Sequence, residues 1–180
     1  MFFSIIIINY KTKQLTANCL KSLLALPFAN KEIIVIDNNS NDGSAEFLKT
    51  TFNQQIKLIA NQENLGFSKA NNQGAKIAQG DYLLFLNSDT IIEEDIFNSC
   101  LKIFKLNKNI AIISPRLLTS DGKYQKAAFG YFPTIFRLIS QKTKIDPQFN
   151  ENNDYNIVDW VSGCALMIRR EIFEQIKGWD

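Results

Sequence analysis

Strand signals alternate with helix signals through the first hundred residues, and this alternation restricts the fold more than any other feature. Apolar runs predict strands at residues 2–8, 32–37, 56–60, 81–86 and 110–114. Amphipathic stretches predict the helices between them, at residues 11–26, 44–52, 67–79 and 93–106. This order is typical of an α/β fold, in which helices cover both faces of a mostly parallel, Rossmann-like sheet.

Two helix ends are predicted from local residue types. Gly80 is expected to end the third helix, since glycine suits the position just after a helix. The acidic residues Glu93, Glu94 and Asp95 are expected to form the first turn of the fourth helix, where the helix dipole favours negative charge.

The second half of the chain has a different rhythm but no clear domain boundary. A strand is predicted at residues 158–168 and a short helix at residues 169–178. An aromatic stretch at residues 129–139 and a polar loop at residues 146–156 precede them. The chain has 180 residues, so we predict a single domain over its whole length.

Composition excludes several classes of function. The chain has no histidine, which excludes His-based triads and His-ligated metals. Its three cysteines form no CxxC pair, so neither a zinc site nor a disulfide framework is predicted, and a reducing compartment fits. The net charge of +2 does not indicate a nucleic-acid partner. No stretch approaches the roughly 20 apolar residues of a membrane helix.

Polar residues cluster where the predicted parallel strands end. Ligands of open α/β sheets bind at this edge, so the ends of the first four strands are expected to converge on one cleft. The residues concerned are Asn9 and Tyr10, Asp37 to Asn39, Asn61 and Asn64, and Asn87 to Asp89.

Two carboxylates at this edge have both a functional and a structural interpretation. Asp37 follows four aliphatic residues and could accept the imide N–H of uracil or thymine, or it could stabilise the turn that follows. Asp89 could hold a divalent cation that neutralises a leaving diphosphate, since Mg²⁺ and Mn²⁺ prefer oxygen ligands. Alternatively, Asp89 or Thr90 could cap the next helix.

Two further segments carry weaker signals. Gly66 precedes a helix start that can favour an anion, although the segment lacks the GxGxxG and Walker patterns. Lys69 is interpreted as a solvated helix lysine rather than a phosphate ligand. Trp160 could stack on a sugar or pack in the core, and Gly163 could allow close approach of a ligand or form a bulge.

Five segments follow one another in a distinctive order: SIIIINY, VIDNNSNDGS, NLGFSKANNQG, LFLNSDT and VSGCALMIRREIFEQIKGWD. In this order they closely resemble the bacterial family 2 glycosyltransferases of GT-A fold, especially the rhamnosyltransferase-like branch. The resemblance spans nearly the whole chain. It implies inverting transfer of a sugar from a UDP- or dTDP-sugar to a hydroxyl of a glycan or lipid-linked acceptor, in the synthesis of cell-surface polysaccharide.

The resemblance also implies residue roles. Asp37 would bind the nucleobase of the donor, and Asp89 would bind Mg²⁺ or Mn²⁺. Trp160 and Gly163 would lie on the acceptor side. The family's DXD motif reads Asn87-Ser88-Asp89 here, which leaves one carboxylate as metal ligand. The whole set implied for donor binding is Asn9, Tyr10, Asp37, Asn39, Asn64, Gly66, Asn72 and Asn87.

The family's general base is an aspartate shortly downstream of its GWD-like sequence. We therefore expect the catalytic base beyond Asp180 and expect the domain to be incomplete at its C-terminus. General-base catalysis is typically worth about 10²–10⁴-fold in rate, so these residues alone are expected to bind donor but transfer sugar poorly.

Two other classes of function are alternatives to glycosyl transfer. A non-catalytic nucleotide-sugar-binding module or inactive fragment is distinguished by whether an acidic motif follows residue 180. A nucleotidyltransferase would carry a Gly-rich, basic signature near the first strand, and SIIIINYKTKQ has none.

The location expected is cytoplasmic, with peripheral contact at the inner face of the membrane. The aromatic stretch at residues 129–139 is either a contact for membrane or partner or an ordinary core or loop segment.

Overall fold

The computed structural model describes residues 1–132 and 155–180. Its strands are β1 (Phe3–Asn9), β2 (Lys31–Asp37), β3 (Lys57–Ala60), β4 (Tyr82–Asn87), β5 (Ile112–Ile113), β6 (Phe129–Gly130), β7 (Trp160–Val161) and β8 (Ala165–Arg169). Its helices are α1 (Lys13–Ala25), α2 (Ser44–Phe52), α3 (Gly66–Ile77), α4 (Ile96–Leu106) and α5 (Arg170–Gln175).

Six of the described strands form one mixed sheet in the order β3-β2-β1-β4-β8-β5. The first four lie parallel, and β8 runs antiparallel to both β4 and β5. A helix connects each parallel strand to the next, as parallel pairing requires. The predicted α/β class with a mostly parallel sheet is confirmed.

The sheet is buried on both faces because its central strands are apolar at successive positions. In β1, Ile5 and Ile7 point to one core while Ile6 points to the other. Helices α1, α2 and α4 pack on the first face, and α3 and α5 pack on the second. This explains why the strands have continuous apolar runs rather than alternating patterns.

The predicted ends of two helices are wrong. Helix α3 ends at Ile77, and Gly80 instead lies against β1, where an added Cβ would be 2.5 Å from the Ser4 backbone nitrogen. Helix α4 begins at Ile96, because the Asp95 side chain accepts hydrogen bonds from the backbone N–H groups of Phe97 and Asn98. The cap is therefore Asp95 rather than Asp89 or Thr90, and Glu93 and Glu94 lie before the helix.

The predicted strand at residues 158–168 is two strands. Residues 162–164 separate β7 from β8, and β7 pairs with β6 in a separate two-stranded sheet. Strand β5 is shorter than predicted and pairs with β8. The predicted polar loop lies largely outside the described residues, as does most of the aromatic stretch. In the described part of the chain, no helix is long and apolar enough to cross a membrane.

Glu32 links three segments at the amino end of the sheet. Its carboxylate accepts hydrogen bonds from the Ser4 hydroxyl (2.5 Å), the Gln79 backbone N–H (2.7 Å) and the Lys57 ammonium (2.6 Å). Burial alone would raise the pKa of the Glu32 carboxyl, but these hydrogen bonds together hold that pKa below its ordinary value.

A depressed folded-state pKa stabilises the fold above the unfolded pKa, and the stability is lost as pH falls through the folded pKa. We expect Glu32→Gln to lower the free energy of unfolding by roughly 1–3 kcal/mol at neutral pH. The difference in free energy of unfolding between wild type and Glu32→Gln should shrink as the pH falls below the folded-state pKa of Glu32. Urea unfolding at neutral and at acidic pH measures this difference. A difference that is unchanged at acidic pH would contradict this role of Glu32.

Candidate functional site

The sheet has a topological switch point between β1 and β4. The chain leaves β1 towards β2 and β3 on one side, and β4 then joins on the other side. Crevices for ligands open at such points, outside the carboxyl ends of the strands. A cleft of about 260 Å³ lies here, lined by Ile8, Thr12, Leu15, Phe67, Asn71, Leu86, Asn87, Ser88 and Asp89.

Asn9 and Asp37 end the neighbouring strands β1 and β2 and pair in register. The Asn9 amide donates to Asp37 Oδ1 at 2.5 Å, and the Ser40 hydroxyl donates to the same oxygen at 2.6 Å. The Ser40 backbone N–H donates to Asp37 Oδ2 at 3.1 Å. All three residues are buried. Asp37 thus stabilises the turn after β2, and its Oδ2 retains acceptor capacity.

Asn38 connects the end of β2 to the segment before α3. Its side-chain oxygen accepts from Asn61 Nδ2 (3.1 Å) and from the Leu65 backbone N–H (3.0 Å). Its Nδ2 donates to Asn64 Oδ1 at 2.7 Å, and Asn64 also accepts from the Gly66 N–H. Gly66 begins α3 with a φ of 76°, a left-handed conformation that suits glycine. The amides therefore fix the start of α3 beside the cleft.

Thr12 connects β1 to the end of β4. Its hydroxyl donates to Asn9 Oδ1 at 3.1 Å and is hydrogen-bonded to the Ser88 hydroxyl at 3.0 Å. Thr16 also donates to Asn9 Oδ1. Together with the Asn9–Asp37 and Asn38–Asn61 contacts, this joins the carboxyl ends of all four parallel strands by side-chain hydrogen bonds. The cleft lining itself includes residues near the ends of β1 and β4 but none from the ends of β2 and β3, so the convergence of all four on one cleft stays a prediction.

The end of β4 brings a carboxylate to the cleft. Asp89 is exposed, and it has no hydrogen-bond or ion-pair partner in the described part of the chain. Asn87 donates from Nδ2 to the Cys164 sulfur at 3.4 Å.

Burial raises the pKa of the Cys19 thiol to about 12, and the charge of Asp89 contributes. Cys19 is therefore a protonated core residue rather than a nucleophile.

The described residues contain no cluster of three or more acidic or sulfur ligands for a metal ion. Asp89 is the one acidic residue among those that line the cleft. One carboxylate suffices where Mg²⁺ arrives with phosphate oxygens and keeps its waters. The protein ligands available in the cleft thus fit a cation that binds together with a diphosphate. They do not fit a cation held by protein ligands alone.

Apolar side chains border the cleft. Leu15 and Phe67 line it and remain exposed, and Tyr10 is exposed after β1. Phe67 meets the Trp179 ring edge to face, with ring centroids 5.6 Å apart. Gly163 lies beside this pair, since an added Cβ would be 3.7 Å from the Phe67 ring. Exposed rings at a cleft offer stacking surfaces to a base or a sugar.

Asn72 holds the C-terminal segment. Its Nδ2 donates to the Trp179 carbonyl at 2.8 Å, and its Oδ1 accepts from the Trp179 N–H at 2.9 Å. Gly178 adopts a φ of 87° beside it, and an added Cβ would be 2.5 Å from Asn72 Oδ1. The structure thus gives Asn72 an internal partner, and its donor-binding role stays a prediction.

Trp160 lies away from the cleft lining, on β7. Its indole packs over Gly130 of β6, where an added Cβ would be 2.6 Å from the ring. The side chain is 38% exposed, so one part of the ring remains available to a ligand. Its predicted acceptor-side role, like that of Gly163, stays a prediction.

The structure places the predicted site residues in two groups. Asn87 and Asp89 line the cleft, and Asn9 is hydrogen-bonded to its wall through Thr12. The other predicted donor-binding residues are absent from the lining: Tyr10, Asp37 and Asn39 follow β1 and β2, Asn64 precedes α3, and Gly66 and Asn72 lie on α3. Sequence reasoning missed Thr12, Ser40 and Asn71, although each is a polar residue within a few positions of a strand end or a predicted ligand.

Comparison with known proteins decides the family. Residues 4–177 match the profile of the family described as Glycosyl transferase family 2. The chain belongs to this family. The predicted family is therefore confirmed, while the rhamnosyltransferase-like branch stays a prediction.

Curated relatives include a poly-beta-1,6-N-acetyl-D-glucosamine synthase of Staphylococcus aureus (strain COL). It is 32% identical over 174 residues, which are 95% of this chain and 40% of that protein. The Staphylococcus epidermidis synthase is 24% identical over 180 residues, 98% of this chain and 42% of that protein. The chain thus spans about two fifths of the length of these relatives.

Solved structures share the fold of the family 2 domain. S. aureus TarS in complex with UDP-GlcNAc has a TM-score of 0.70 at 18% identity, covering 98% of this chain and 47% of that one. The mannosyltransferase PcManGT from Pyrobaculum calidifontis, in complex with GDP-Man and Mn²⁺, has a TM-score of 0.65 at 15% identity, covering 99% and 47%. These glycosyltransferases confirm the predicted GT-A fold.

Proposed function

We propose that this domain binds a UDP-sugar across the switch point and presents its sugar to an acceptor hydroxyl. The observation that carries this is the placement of Asp37 and Asp89 on either side of β1. Since β1 pairs with both β2 and β4, these strand ends are two strand spacings, about 10 Å, apart. A nucleoside diphosphate can extend from one to the other.

The base would lie at the Asp37 end. Asp37 Oδ2 accepts one backbone N–H and has a second acceptor position, which the imide N3–H of uracil can use. Cytosine N3 is an acceptor, so cytosine would have no N–H at that position to donate to the carboxylate. The exposed Tyr10 ring follows β1 and can cover the face of the base.

The diphosphate would lie at the Asp89 end. A divalent cation bound there would supply charge neutralisation for the departing diphosphate. The chain's own contribution is orientation: Thr12 fixes Ser88 and so the turn that carries Asp89. In the proposed reaction an acceptor oxygen attacks the anomeric carbon, the bond from that carbon to the diphosphate oxygen breaks, and the acceptor proton passes to a base.

Uridine diphosphate N-acetylglucosamine is the donor we propose to test first. TarS, a fold neighbour, was solved with UDP-GlcNAc, and the curated relatives are named for a polymer of N-acetylglucosamine. dTDP-sugars have the same imide N–H and are the second class of donor to test. A glycan or lipid-linked hydroxyl at the cytoplasmic face of the membrane is the proposed acceptor, in cell-surface polysaccharide synthesis.

Calorimetric titration with UDP, dTDP and CDP, each with Mn²⁺, tests the proposed donor. We expect UDP and dTDP to bind and CDP to bind at least about tenfold more weakly, because one hydrogen bond to a carboxylate is lost. Equal affinity for UDP and CDP would contradict base recognition by Asp37. A folded chain that binds none of the three would contradict the proposed function.

A further inference from the structure

Asn71 is a buried amide whose nitrogen has no partner in the described part of the chain. The side chain is 2% exposed, and Nδ2 makes no hydrogen bond. Yet Asn71 lines the cleft. A buried donor without a partner destabilises a fold, and a ligand that supplies an acceptor removes this cost.

Helix α3, which carries Asn71, packs closely against the sheet. Gly74 lies so close to the sheet that an added Cβ would be 2.6 Å from Ile6 Cγ2. Asn71 lies one turn after Phe67 on the same face of the helix, and both line the cleft. The neighbouring amide of Asn72 uses both its polar atoms on the Trp179 backbone, so Asn71 differs from it in having a donor to spare.

We propose that Asn71 Nδ2 donates a hydrogen bond to an oxygen of the nucleotide sugar beyond its nucleoside, on the diphosphate or on the sugar. This rests on the proposed function. The same cleft is lined by Asn87, Ser88 and Asp89, so a ligand bound in the cleft at Asp89 shares that space with Asn71. Nδ2 is a donor without acceptor capacity, and phosphate and sugar oxygens are acceptors.

Three substitutions separate this role from a structural one. Asn71→Ala removes the donor, Asn71→Asp keeps the shape but replaces the donor with a carboxylate oxygen, and Asn71→Leu removes the unpaired polar group at similar volume. Lys76→Ala, at an exposed position near the end of α3, is the matched control. The probes are UDP and UDP-GlcNAc with Mn²⁺, measured by calorimetry, together with thermal unfolding without nucleotide.

We expect Asn71→Ala to weaken binding about tenfold and Asn71→Asp to weaken it further. Without nucleotide, Asn71→Leu should unfold at a higher temperature than wild type, because a buried unpaired donor is gone. An equal loss for both probes assigns the contact to the diphosphate, and a loss for UDP-GlcNAc alone assigns it to the sugar.

Two results would overturn the inference in different ways. If wild type binds UDP-GlcNAc and all three folded Asn71 variants bind it equally well, Asn71 does not contact the donor and the proposed function stands. If wild type binds neither UDP nor UDP-GlcNAc, the proposed function and this inference fail together.

Discussion

Replacing Asp89 by asparagine is expected to abolish the Mn²⁺ dependence of UDP binding and, in protein that transfers sugar, to slow the transfer about 10²–10³-fold. Asp89 is the one acidic residue among the described residues of the cleft lining, and its carboxylate is exposed. With a single protein carboxylate available, no second one can compensate for its loss. The substitution keeps the side-chain shape, so stability should change little.

Calorimetry with UDP in the presence and absence of Mn²⁺ measures the binding effect, and transfer from UDP-GlcNAc measures the rate. Glu93→Gln is the matched control, because Glu93 is also exposed and follows β4 but does not line the cleft. An Asp89→Asn variant that still binds UDP in a metal-dependent way would show that the cation is held elsewhere.

Replacing Asp37 by alanine is expected to have two effects, one on stability and one on nucleotide binding. The buried Asn9 amide and the Ser40 hydroxyl would lose their acceptor, which should lower the free energy of unfolding by about 2–4 kcal/mol. The carboxylate proposed to accept the uracil N–H would also be gone. UDP affinity should fall by at least about tenfold in protein that remains folded.

Asp37→Asn separates the two effects. Its amide oxygen can still accept from the Asn9 amide and the Ser40 hydroxyl. Its nitrogen replaces Oδ2, so the bond from the Ser40 backbone N–H is lost and a donor faces the base. We expect a smaller loss of stability than with alanine and a narrower preference for UDP over CDP, since cytosine offers an acceptor. Asp42→Asn, at an exposed position in the same loop, is the control. An unchanged preference in Asp37→Asn would assign the role of Asp37 to the turn alone.

Local pattern was enough to predict the sheet and most of its polar edge. The apolar runs of β1, β2 and β4 are buried on both faces, so they stand out without knowledge of the fold. Asn9, Asp37 and Asn87 follow directly from them, because the carboxyl ends of parallel strands meet at one edge.

Contacts between distant segments were not predictable in the same way. Asn72 meets Trp179 across 107 positions, and no local signal marks that pair. Asn71 and Asn72 are identical residue types in adjacent positions, and the helix turn alone decides which faces the cleft. At α4 the acidic residues suggested a first turn, but Asp95 caps the helix from outside it.

The central claim is that a uridine nucleotide spans the switch point from Asp37 to Asp89. A crystal structure of this chain with UDP and Mn²⁺ tests it most directly. We predict uracil N3 within hydrogen-bond distance of Asp37, and Mn²⁺ bound by Asp89 and the diphosphate. A nucleotide that does not reach from Asp37 to Asp89, or a cation held without Asp89, would contradict the account.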